Sequence, residues 1–212
     1  MSQNDIVTFN TESEVTPKKI PICVLVPETS PILKEVMPEY DFNNQVMGDF
    51  KTAEQLASTL VETCKEYKGL GLSANQCGIK ARVFVMGQGD EYIACFNPTI
   101  VAESTETVHM VEGCLSFHHL ALRITRPAGI VVDYQDWTGK HHQANFVGIS
   151  ARCFLHELDH MNGIVYTDKV KPLALQQGMK KRDKVNALIK KAKKTLNNLD
   201  KVQAKLNNGN TN

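Results

Sequence analysis

His156-Glu157-Leu158-Asp159-His160 constrains the chain more than any other short run in it. Two histidines four positions apart face one metal ion together only on an α-helix, where they lie one turn from each other on a single face. Glu157 stands beside them, a residue type suited to take a proton from a metal-activated water. The surrounding periodicity predicts that helix from Ile149 to Met161, stopped at Asn162-Gly163. Ile149, Cys153, His156 and His160 then share one face, which sets an apolar wall directly beside the ligands. Such a wall suits an unbranched apolar substrate side chain such as that of methionine.

A catalytic metal needs a third protein ligand. Residues 161–212 hold no His, Glu or Cys, and their only carboxylates are Asp168, Asp183 and Asp200. The third ligand therefore comes from upstream, unless Asp168 supplies it in a zinc peptidase of the H-E-x-x-H type. Upstream, Glu112-Gly113-Cys114-Leu115-Ser116 offers a thiol behind a glycine. The six cysteines (Cys23, Cys64, Cys77, Cys95, Cys114, Cys153) form no C-x-x-C pair, so one or two at most are expected to act chemically and the others to pack as small hydrophobes.

Gly69-Leu70-Gly71-Leu72-Ser73-Ala74-Asn75-Gln76 completes a set of three motifs that resembles peptide deformylase, whose pattern runs G-φ-G-φ-A-A-x-Q, E-G-C-L-S and Q-H-E-x-D-H in this order. The second is matched in full and each of the others with one substitution, Ser73 and Leu155. Asn97-Pro98 and Asp136-Trp137-Thr138-Gly139 fit as well, and the resemblance spans about Ile32 to Val170. Met161 and Phe117-His118 also depart from the pattern without touching a ligand, base or oxyanion donor.

The resemblance implies a metal held by Cys114, His156 and His160, Fe²⁺ in the family, with Zn²⁺, Ni²⁺ or Co²⁺ able to occupy the site. It implies Glu157 as general base and the Gln76 amide with the Leu115 N–H as oxyanion donors. Leu70, Gly71 and Gly113 would pair with substrate main chain, Leu70, Met110, Ile149 and Cys153 would hold the methionine side chain, and Glu112 with Arg126 would brace the Cys114 segment. The activity implied is removal of the formyl group from N-formyl-methionyl nascent peptides, with release of formate.

The fold expected is one α+β domain, with mixed or antiparallel sheets around a central metal-binding helix and a long C-terminal helix. Residues 1–19 read as a polar tail, 20–175 as the catalytic unit, and 176–212 as a basic helix and tail. A first helix follows the spacing Ala53, Leu56, Leu60, Cys64, Tyr67, with Thr52 and Gln55 as a capping box and Gly69 as its stop. Strands are expected at Val83–Met86, Tyr92–Phe96, Leu120–Ile124 and Ile130–Tyr134. His118-His119 and His141-His142 read as solvent-side pairs, and Trp137 as a turn residue.

Charge divides the chain. Residues 176–206 carry ten Lys/Arg against two Asp, a net +8, which leaves −7 for the rest of a +1 protein. An anionic partner is therefore expected for the tail and not for the body. The tail reads as a helix packed through Val185, Ile189, Leu196 and Leu199, as a ribosome contact through its lysine face, or as a short coiled coil. No run approaches a membrane span and no targeting segment is evident at Met1–Lys19, so a cytoplasmic enzyme is expected. A reading of another class, a catalytically silent ribosome- or RNA-associated protein on the same fold, rests on Leu155 and the basic tail.

Overall fold

The structure, a computed structural model, describes residues 20–44 and 47–209, so the polar tail expected at residues 1–19 lies outside the described residues. In chain order its elements are α1 (Ala53–Glu66), β1 (Gly71–Ser73), β2 (Val83–Gln88), β3 (Glu91–Glu103), β4 (Thr107–Cys114), β5 (Phe117–Pro127), β6 (Gly129–Gln135), β7 (His141–Val147), α2 (Gly148–Met161) and α3 (Pro172–Gly209). Strands β1-β2-β3-β6-β7 form one sheet in that order, and β4-β5 form a separate ribbon. Every strand pairing among the described residues is antiparallel.

Interior strand β2 explains how the sheet is buried. Its apolar run has no polar alternation because both faces are covered. Val83 and Val85 join Leu56 and Leu60 of α1 in one core, while Phe84 and Met86 join Phe154, Leu158 and Met161 of α2 in the other. The Phe84 and Phe154 rings meet edge to face at 5.0 Å. The sheet thus lies between α1 and the metal-binding helix. In the ribbon, Leu120, Leu122, Ile124 and Arg126 of β5 take successive inward positions, so a guanidinium ends an otherwise apolar row.

Helix α1 starts as expected, with Thr52 Oγ1 accepting from the Gln55 N–H at 3.2 Å. The Gln55 side chain, however, accepts from the Lys51 N–H at 2.9 Å, one residue before the position a capping box requires. The stop also differs: Lys68 takes the left-handed conformation (φ +56°), not Gly69. Gly69 is needed for space, because a Cβ there would stand 2.8 Å from Leu115 Cδ1.

Three strands were not expected from the sequence: β1, β4 and β7. β7 begins His-His-Gln and keeps every residue at least partly exposed, so its alternation carries little apolar signal. Its His142 stays partly exposed but is not without partners. It pairs with Asp136 at 2.6 Å and stacks on Tyr134.

Among the described side chains, helix α3 docks through its beginning. Leu175 packs under β5. Gly178 is buried so tightly that a Cβ would lie 2.5 Å from Leu122 Cδ2. Arg182 pairs with Glu28 at 2.7 Å and Asn186 with His119 at 2.9 Å. Beyond that, the stripe expected to pack does not do so: Leu196 and Leu199 are both 60% exposed, and only Ile189 is half-buried.

Candidate metal centre

Cys114 closes β4 just before the two-residue turn Leu115–Ser116, and α2 carries the two histidines toward it. One ligand atom from each of Cys114, His156 and His160 lies within 4.8 Å of the others, with Cys114 Sγ 3.4 Å from His160 Nε2. A thiolate and two imidazoles form a donor set that fits a transition-metal ion with a position left open. Asp168 takes no part. It accepts from the Lys34 ammonium and from the Val165 N–H at 3.3 Å, closing a 3-10 turn, which removes the peptidase reading built on it as third ligand.

His156 Nδ1 lies 3.1 Å from Glu112 Oε2, which leaves Nε2 free for a metal. Glu112 is held from three sides. Arg126 grips it with two N–H groups (Nε to Oε1 2.6 Å, Nη2 to Oε2 2.9 Å), and Arg152 Nη1 reaches Oε1 at 2.5 Å. Arg126 also bonds Asp159 at 2.7 Å, and Lys169 bonds the other Asp159 oxygen at 3.0 Å. Glu112 and Arg126 are buried, so the brace is an interior network and not a surface pair. Burial opposes ionisation of Glu112, but bonds from His156 and Arg126 win and hold its pKa down at about 2.

Arg152 was not singled out by the sequence reading. It sits one turn before His156 and also donates to the Ile124 and Val108 carbonyls at 3.0 and 2.6 Å. The signal was available: an arginine at i−4 from a metal ligand, on the inward face of a buried helix.

Glu157 has the opposite surroundings. Its Oε2 is buried with no hydrogen-bond partner among the described residues, and burial pushes its pKa up to about 7. Gly71 makes room for it, since a Cβ there would stand 2.5 Å from Glu157 Oε1 and 2.8 Å from Cys153 Sγ. Gly71 is therefore fixed from inside the protein as well as by any approach of substrate. Gly113 differs, with nothing closer than 3.8 Å to a Cβ. Among the imidazoles, burial pulls His156 down but the Cys114 and Glu112 bonds carry it up to about 10 without metal. Burial and then the neighbouring His156 hold His160 well below the usual range.

Gln76 is fixed at both ends of its amide. Oε1 accepts from the Ser73 N–H at 3.0 Å and from the Ser73 hydroxyl at 2.9 Å, which assigns the oxygen. Nε2 then points to Cys114 Sγ at 3.3 Å and Ser116 Oγ at 3.1 Å. The Asn75 side chain ties the same turn to the His160 carbonyl at 2.9 Å.

These groups surround a cavity of about 340 Å³ lined by Leu70, Gly71, Gly113, Leu115, Ile149 and Cys153 together with Glu157. Met110 is not among its lining residues. Val111, half-exposed, lines the cavity instead, while Met110 sits opposite Ile124 in the β4-β5 register.

Residues 24–176 match the family described as Polypeptide deformylase. The chain belongs to the peptide deformylase family. It is 38% identical to the peptide deformylase of Thermotoga sp. (strain RQ2) over 143 residues, 67% of this chain and 83% of that protein. With the enzyme of Thermotoga neapolitana it shares 42% over 113 residues, 53% of this chain and 69% of the other. Its fold matches the crystal structure of the Thermotoga maritima deformylase (TM-score 0.63, 32% identity, 72% of this chain and 99% of that one). A Legionella pneumophila deformylase superposes with TM-score 0.69 at 27% identity, over 79% of this chain and 97% of the other.

The activity is that of the family: hydrolysis of a linear amide, removing the N-formyl group from nascent peptides. A silent binding protein on this fold is thereby set aside. No helix among the described residues is long and apolar enough to cross a membrane.

Proposed function

We propose that this deformylase works in the cytoplasm with one divalent metal on Cys114, His156 and His160, Fe²⁺ in the working enzyme, and that Glu157 is its proton carrier. Held by those three residues, the metal would supply Lewis acidity for the attack of water on the formyl carbonyl. Glu157 takes the water's proton and returns one to the leaving amine, a task suited to a carboxyl raised to about 7. Gln76 Nε2 and the Leu115 N–H donate to the oxygen on which charge develops. Leu70, Gly71 and Gly113 align the substrate main chain as an added strand. Leu70, Val111, Ile149 and Cys153 offer an apolar wall to its methionine side chain.

The observation that carries this reading is the unpartnered buried Glu157 oxygen one residue from a ligand of the Cys-His-His triad. Formate release from formyl-Met-Ala-Ser, with metal measured on the same sample, tests it. One metal per chain and turnover that a chelator abolishes are expected; turnover unaffected by complete metal removal contradicts the reading.

The basic distal part of α3 is proposed as a ribosome contact. It supports that reading because Lys190, Lys191, Lys193, Lys194 and Lys201 are all exposed. A chain ending at Lys190 keeps Leu175, Gly178 and Arg182 docked, whereas one ending near Lys171 or Pro172 uncovers Leu120 and Leu122. The Lys190 version should hydrolyse short formyl-peptides as the full chain does and sediment less with ribosomes at low salt. Equal sedimentation of both contradicts the contact.

A further inference from the structure

Cys23 and Cys77 take no part in the metal centre, yet both line one surface cavity, on segments joined by a backbone hydrogen bond. The backbone holds them as neighbours. The Cys23 N–H donates to Thr63 Oγ1 at 3.0 Å, and three residues on the Val26 N–H donates to the Gln76 carbonyl at 2.8 Å. The extended segment from Cys23 to Val26 therefore runs along the 3-10 turn Ala74–Cys77.

Both cysteines are partly exposed, and both line a surface cavity of about 470 Å³ with Val24, Phe50 and Ile79. Cys64 and Cys95, by contrast, are fully buried. The neighbouring Cys77 thiol, opposed by burial and helped by Thr63, lowers the Cys23 pKa to about 7, while Cys23 and burial raise Cys77. One thiol is thus a ready nucleophile and the other keeps its proton until a later step.

We propose that Cys23 and Cys77 are a reactive dithiol that exchanges with small disulfides of the glutathione class. The Cys23 thiolate attacks one sulfur of the small disulfide, forming a mixed disulfide and expelling one small thiolate. That thiolate takes the Cys77 proton. Cys77 sulfur then attacks Cys23 sulfur and releases the second small thiolate, which is protonated from solvent. Two protein thiols are oxidised and the small disulfide is reduced to two thiols. The product ties the segment at Cys23 to the residue after Gln76, so a reversible bond closes beside the turn that holds an oxyanion donor.

The test uses the full, metal-loaded chain, in which Cys114 is ligated, treated with oxidised glutathione. Free thiols should fall by two, peptide mapping should join Cys23 to Cys77, and dithiothreitol should restore both thiols. Cys77→Ser should accumulate one glutathione on Cys23, and Cys23→Ser should leave Cys77 unmodified. Overturning results are a full chain that keeps both thiols, glutathione that lands first on Cys153, or a Cys77→Ser protein that carries no adduct on Cys23.

Discussion

Glu112 and Glu157 lie in one buried centre, and both feel the charge of His156, yet their surroundings drive them apart. Two arginines and an imidazole saturate Glu112. Glu157 has an oxygen with no partner and a cavity in front of it. Burial acts on both carboxyls; the difference is whether hydrogen-bond donors came with it. On the mechanism proposed above, the saturated carboxylate fixes a ligand and the unsaturated one moves a proton.

The largest effect expected is on the free member. Glu157→Gln should keep its metal and lose about 10²–10⁴-fold in formate release, because an amide accepts no proton. Metal analysis with turnover on one sample checks this, and loss of metal would make Glu157 a structural group. Glu112→Ala reverses the pattern. It strands two buried cations and frees the His156 ring, so about 3–5 kcal/mol of stability should go, with weaker metal retention. Denaturant melts and metal titration read both quantities; a melt within error of the parent would show the brace to be dispensable.

Smaller effects probe the cavity side alone. Gln76→Ala should cost about 100-fold in turnover, the scale of one oxyanion donor, and about 1–3 kcal/mol in the melt, because the buried Ser73 N–H loses its acceptor. Replacing the substrate methionine by alanine should cost about 2–3 kcal/mol in kcat/KM through lost apolar burial. Equal efficiency on formyl-Ala and formyl-Met peptides would remove the apolar wall from the account.

The sequence revealed the free half of this contrast more fully than the braced half. Ligand spacing on a helix is local, so His156, Glu157 and His160 were legible from five residues, and α2 ends where Asn162-Gly163 stops it. Strands with strong apolar runs, such as Val83–Met86, were legible for the same reason. The brace depends on register between distant strands. Arg126 was expected as a partner of Glu112, but its burial follows from its inward place in β5. Arg152 reaches Glu112 across 40 residues of chain, which no local pattern encodes. Gly178 carried a signal that went unused, a glycine inside a helical pattern where a close crossing with β5 permits nothing larger. Exposure of Leu196 and Leu199 was illegible because apolar spacing alone does not say whether a helix finds a partner.

The division of labour between the two carboxyls is open to direct titration. In metal-free protein, Glu112, with its pKa lowered from 4.5 to about 2, adds stability that is present above about pH 4.5 and lost as pH falls toward 2. Glu157, raised from 4.5 to about 7, acts in reverse, and its contribution falls as pH rises from about 4.5 to 7. Carbon-detected NMR of the glutamate carboxyls, assigned with Glu112→Gln and Glu157→Gln, measures both in one series. The account predicts one carboxyl still ionised near pH 3 and another still half protonated near pH 7. Two carboxyls that titrate together near 4.5 would contradict it.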